Sequence, residues 1–145
     1  MKKVFMALFL CLFAVPVLAG CSGNTPLTIW VGSESVEFYT AKMAEYVTEY
    51  NATHAEAFPY EISVLGVDTG TAASTYLDDT DAGADIFTVA HDNLGKLISG
   101  SSSIAPITDV NLLAQIENDN PAIFLDVIKG TVDGVTYTFG VPYIA

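Results

Sequence analysis

Gly83 to Ile98 reads GADIFTVAHDNLGKLI. Ile86 to Val89 form a short apolar run of mostly β-branched and aromatic residues, and Leu94, Leu97 and Ile98 then repeat at helical spacing. The pattern predicts a buried strand running into a helix, with Ala90, His91, Asp92 and Asn93 at the turn between them. In an open α/β sheet ligands bind at the carboxyl ends of the strands, so this turn is a candidate site. The same residues have a plainer use: Asp92 or Asn93 can cap the helix by accepting a bond from an orphan backbone N–H.

Upstream, Leu27 to Val31 reads as a first strand ending in the polar turn Gly32, Ser33, Glu34, Ser35. Val36, Tyr39, Met43, Tyr46, Val47 and Tyr50 recur at three- and four-residue steps and predict one apolar helix face, with Lys42, Glu45 and Glu49 away from it. Tyr60, Ile62 and Val64 alternate with polar residues and predict a second strand ending near Gly66. Asp68 or Thr69 is placed to cap a short helix whose apolar side is Ala72, Ala73, Tyr76 and Leu77.

The acids Asp78, Asp79, Asp81 and Asp85 lack the later bidentate acid that an EF-hand-like calcium loop needs, so they read as a solvated loop. Downstream, Gly100 to Ser103 reads as a turn and Ile104 to Ile107 as a short extended piece. Asn120 and Pro121 are expected to start a helix with Ile123, Phe124, Val127 and Ile128 on its apolar side, closed by Lys129 and Gly130. Asp133 and Gly134 make a two-residue hairpin turn, followed by the alternating Tyr137, Phe139 and Val141. Strands and helices alternate through much of the chain, which predicts an α/β sheet with helices on both faces.

The amino terminus reads as a targeting segment. Lys2 and Lys3 precede an apolar run from Val4 to Leu18, shorter than the roughly 20 residues a membrane span needs. Leu18, Ala19, Gly20 and Cys21 form a lipobox, so residues 1–20 are expected to be removed, Cys21 to be lipidated, and residues 21–26 to serve as a tether. Cys11 leaves with the leader, which rules out a disulfide within the mature chain. All 17 acidic residues lie after Cys21, against Lys42, Lys96 and Lys129, so the mature net charge is −14. Such a body excludes nucleic acid as a partner, because nucleic-acid binding rewards basic clusters.

LTIWVG at Leu27 to Gly32, GADIFTVAHDNLGKLISG at Gly83 to Gly100, IAPI at Ile104 to Ile107 and DGVTYTFGVPYIA at Asp133 to Ala145 together carry a resemblance. In that order and spacing, the set resembles the family-one extracellular solute-binding proteins of sugar ABC importers, of the maltose/maltodextrin-binding kind. The resemblance implies a periplasmic-binding-protein-like lobe with a mixed sheet. Residues 27–145 would make an incomplete amino-terminal lobe, the second lobe being missing.

It further implies a sugar or oligosaccharide bound between two lobes, ABC permease subunits as partners, a monomer at full length, and a place on the outer side of the cytoplasmic membrane or in the periplasm, held by lipid on Cys21. Carried over residue by residue, it makes Glu34 and Ser35 at the first turn, and Asp92 and Asn93 at the later one, the substrate-binding residues. Ser35 and Asn93 stand where the maltose-binding relative has basic residues, and Val89 where it has a tryptophan under the sugar ring. No catalytic residue, metal or cofactor is expected.

His91 and His54 lie in separate segments without a second ligand at metal spacing, and His91 reads as a packed or hydrogen-bonded residue. A rival enzyme reading starts from Val67, Asp68, Thr69, Gly70 and Thr71, which look like the catalytic loop of an aspartic peptidase. Two such carboxylates must share one proton, and the chain has no second copy of the loop. A surface lipoprotein with only an interaction role is the third reading.

Overall fold

A computed structural model describes residues 26–99 and 104–143. The leader, Cys21, most of the tether, the 100–103 turn and Ala145 lie outside the described residues. The elements run β1 (Leu27–Val31), α1 (Val36–Thr53), β2 (Ile62–Gly66), α2 (Ala72–Asp78), β3 (Ile86–Phe87), α3 (Leu94–Ser99), α4 (Val110–Asp119), α5 (Ala122–Asp126), β4 (Lys129–Val132) and β5 (Val135–Thr138). Short 3₁₀ turns at Ser33–Ser35 and His91–Asn93 lead directly into α1 and α3. No helix among the described residues is long and apolar enough to cross a membrane.

The first sheet is wholly parallel in the order β2-β1-β3. Leu27 to Val31 pair one-to-one with Ile62 to Gly66, and Ile29 and Trp30 pair with Ile86 and Phe87. Parallel neighbours need a crossover, and α1 and α2 supply the two crossovers. β1 is the central strand, and its Ile29, Trp30 and Val31 are buried together with Ala72 and Ala73 of α2, Ala84, and Leu97 of α3. Val36, Tyr39, Met43, Val47 and Tyr50 form the half-buried face of α1, as their spacing predicts. Tyr46 stays 47% exposed and contacts the rings of Tyr50 and Phe58 instead.

Among the described residues, antiparallel pairing is confined to a separate ribbon of β4 and β5, with Thr131 opposite Thr136. Its turn is Asp133-Gly134, with φ of 51° and 80°. Positive φ at both central residues is what a tight hairpin turn of this handedness requires.

Three local expectations are corrected. Ile86 to Val89 do not form a buried strand: β3 spans two residues on the sheet edge, and Ile86 is 55% exposed. Asn120 does not cap the helix after it. Its side-chain amide donates to the Ile116 carbonyl at 2.9 Å and closes α4, while Pro121 precedes an α5 of five residues. Lys129 and Gly130 open β4 rather than closing a helix.

Candidate functional site

The parallel order fixes where each turn emerges. β1, β2 and β3 point the same way, so the turns at Gly32–Ser35, Val67–Thr71 and Thr88–Asn93 all leave from the carboxyl edge of one sheet. They are also tied to one another. Val67 N–H donates to Val31 C=O at 2.8 Å, Thr88 N–H to Trp30 C=O at 3.0 Å, and Ala90 N–H to Thr69 C=O at 3.1 Å. Gly66 lets the first turn pack closely against β2, because a Cβ there would lie 3.2 Å from the Ser33 Cα.

At the first turn Glu34 is exposed and Ser35 half-buried. The Glu34 carboxyl group folds back over Gly32, where an added Cβ would come within 2.9 Å of its Cδ. Ser35 N–H donates to Gly32 C=O at 2.8 Å, which closes the 3₁₀ turn. The Ser35 side chain makes no cap bond to α1.

At the later turn Asp92 is exposed, whereas Asn93 is the buried polar residue of the described core, 8% exposed. Ala90 occupies the position before the 3₁₀ turn, and no side chain caps it. The Asn93 amide is instead engaged at both ends. Its nitrogen donates to Asp92 Oδ1 at 3.1 Å, and its oxygen accepts from Lys96 Nζ at 2.6 Å. Sequence reasoning overlooked Lys96; its signal was the spacing of three residues from Asn93, one helical turn, on a strongly acidic chain.

An aromatic layer supports this edge. Phe87 stacks on Tyr76 at 4.9 Å between centroids and lies 6.0 Å from the ring of Trp30. Trp30 is buried, so it stiffens the edge from below rather than offering a ring face to a ligand. His91 is exposed, contrary to the packed role its sequence suggests, and lines an open depression of about 400 Å³ with Leu94, Ile98, Val127 and Lys129.

The remaining polar candidates are occupied structurally. Asp68 Oδ1 accepts from the N–H groups of Gly70 and Thr71 at 2.9 and 3.2 Å, a turn leading into α2. Asp79 Oδ1 likewise accepts from Asp81 and Ala82 at 3.2 and 3.1 Å, and Asp85 Oδ2 accepts from Thr28 N–H at 2.8 Å. Among the described residues, no group of three or more His, Cys, Asp or Glu is placed to hold a metal ion.

The arrangement therefore offers carboxylates and amides at one sheet edge, and among the described residues the hydrogen bonds joining Asp92, Asn93 and Lys96 form no nucleophile–base pair. The solved structures that share this fold include two of related kind. The ligand-free maltodextrin-binding protein MalE1 from L. casei BL23 superposes with a TM-score of 0.64 over 82% of this chain, at 21% identity. A second structure, solved with acarbose, gives 0.63 over 83% at 20% identity. The chain has the fold of part of a periplasmic-binding-protein lobe. It spans only 29% and 30% of the lengths of those two chains. No family model matches the sequence, and no curated protein matches it.

Proposed function

We propose that the chain supplies the amino-terminal lobe of a sugar- or oligosaccharide-binding protein that serves an ABC importer and performs no catalysis itself. The observation that carries this reading is the parallel pairing of β1 with β3, which sends the Glu34–Ser35 and Asp92–Asn93 turns out of the same sheet edge. The likeness to a maltodextrin-binding protein and to a structure solved with acarbose supports a glycan as the ligand class. Glu34 and Asp92 are exposed acceptors for sugar hydroxyls, Ser35 adds a hydroxyl, and Asn93 contributes from its buried place beside Asp92. Enclosing most of a ligand, typically 70–90% of its surface, requires a facing lobe.

The site is tested by titrating maltotriose and smaller sugars into wild type, Asp92→Ala and Asp79→Ala, each in a full-length protein that carries the facing lobe. A hydrogen bond to a charged group is worth roughly 1.5–3 kcal/mol. Asp92→Ala should thus lose about ten- to a hundredfold in affinity, while Asp79→Ala should bind like wild type. Equal affinities for the two variants would remove Asp92 from the site.

The proposal extends to the envelope: residues 1–20 as leader, Cys21 as the lipid-bearing terminus, and residues 21–26 as tether, outside the cytoplasm and delivering to a permease. A single acyl chain binds membranes only marginally, so stable retention needs at least two. Cys21→Ser should move the protein from the membrane fraction to the soluble envelope fraction. An unmodified Cys21 in the mass spectrum of the membrane-bound protein would refute the anchor.

A further inference from the structure

We infer that Lys96 is a positioning residue for Asp92, acting through the buried amide of Asn93; the inference rests on the sugar-site reading above. Lys42 bonds Glu45 at 2.6 Å, and Lys129 lies 3.9 Å from Asp126. Lys96 has no carboxylate within 4.0 Å among the described residues, although the chain carries 17 acids. It donates a hydrogen bond to the oxygen of a neutral amide instead, at 2.6 Å.

That bond fixes the sense of the amide. An ammonium group only donates, so the end of Asn93 that meets Lys96 must be its oxygen, and the nitrogen must then face Asp92. Asn93 is 8% exposed, so packing as well as bonding holds the amide in place. The consequence falls on the carboxylate. Asp92 Oδ1 is tied down by the Asn93 nitrogen at 3.1 Å, while the exposed group as a whole is not neutralised by a lysine. A direct Lys–Asp pair would compete with sugar hydroxyls for the same lone pairs; the intervening amide orients the acid and leaves it a strong acceptor.

The test compares wild type, Lys96→Met, Lys96→Gln and Lys42→Met, each in the full-length protein that carries the facing lobe. Sugar affinity is read from NMR shift changes during a maltotriose titration to millimolar concentration, and the Asn93 side-chain NH₂ resonances are followed without sugar. Lys96→Met should weaken binding about three- to tenfold, the range of one neutral hydrogen bond, and should displace the Asn93 NH₂ signals. Lys96→Gln keeps a donor without charge and should restore both readouts. Lys42→Met removes the same charge elsewhere and should change neither.

Wild-type affinity in Lys96→Met, or unmoved Asn93 signals, would overturn this inference while leaving the sugar site intact. A Lys96→Gln variant as weak as Lys96→Met would overturn it as well, because charge rather than amide orientation would then matter. Absence of any sugar binding by wild type would overturn the sugar reading itself, and this inference with it.

Discussion

Residues 27–99 and residues 104–143 are built on different terms. The first region holds the parallel sheet and, of the nine buried apolar residues among those described, seven: Ile29, Trp30, Val31, Ala72, Ala73, Ala84 and Leu97. The second contributes Ile116 and Ile128, yet leaves Val110 and Ile123 each 73% exposed, with Val135, Val141 and Tyr143 at 50% or more. Apolar side chains are present in both, so composition does not separate them. What differs is that a central strand lets helices on its crossovers converge on one place, whereas two short helices and an isolated ribbon converge on little. A two-stranded ribbon is at best marginally stable alone, and β4 leans on α3, where a side chain at Gly130 would collide with Ile98.

The largest expected effect makes that contrast measurable. Leu97 is 1% exposed in α3, so Leu97→Ala should cost about 2–5 kcal/mol, the range for emptying a buried leucine site. Ile123→Ala, at 73% exposure, should stay within roughly 0.5 kcal/mol of wild type. Urea unfolding of the two variants decides it. Similar losses would mean that Ile123 is covered in solution, and the second region would then be as well packed as the first.

The same contrast explains what could be read in advance. β1, α1 and β2 have long, consistent periods, and β1 and β2 begin and end within two residues of where alternation and turn residues place them. The carboxyl-edge turns were legible because a strand-to-helix junction has one address in a parallel sheet. The failures lie where local rules compete. Asn120 followed by Pro121 is a good start signal, but an asparagine can equally bond backward to a carbonyl four residues earlier, and it does so to Ile116. α4 escaped notice although its start is written in Asp109 and its buried face in Leu113 and Ile116. The continuous apolar run around Ile86 resembles an interior strand, yet Ile86 is exposed, because exposure of an edge position depends on neighbours that periodicity does not encode. At the site, sequence spacing placed Asp92 and Asn93 together but could not tell the exposed acid from the buried amide.

A smaller effect probes the second region through its best-defined local interaction. Asp109 Oδ1 accepts from the N–H groups of Asn111 and Leu112 at 2.9 and 2.8 Å, satisfying two otherwise orphan donors of α4. Asp109→Ala should cost about 1 kcal/mol and Asp109→Ser much less, since serine is also a good cap. If α4 unfolds separately from the sheet, the loss will show in hydrogen exchange of α4 amides and leave those of β1 unchanged. A uniform change across both regions would instead establish that they unfold as one unit, and the division drawn between them would be only one of packing density.

The smallest expected effect lies at a contact joining the two regions. Tyr39 of α1 and Tyr143 have ring centroids 6.2 Å apart. Burial pushes the Tyr39 hydroxyl above its ordinary value near 10.0, and a hydrogen bond with Tyr143 and the repulsion between their charged forms push it the same way. Above pH of about 10, the unfolded tyrosine loses its proton while the folded one keeps it. The native state then binds more protons, so this contribution to stability is complete below the unfolded pKa and is lost as pH rises through the folded one. Tyr39→Phe cannot ionise at that position, and its stability should therefore fall less steeply on the alkaline side. The two unfolding curves should be parallel at pH of about 8 and converge or cross toward pH of about 11. Tyr143→Phe should lower the sensitivity in part, because it removes the hydrogen bond and the second charge but leaves the burial of Tyr39. Identical alkaline slopes in wild type and Tyr39→Phe would show that this contact does not persist in solution, and the two regions would then be joined chiefly through α3 and β4.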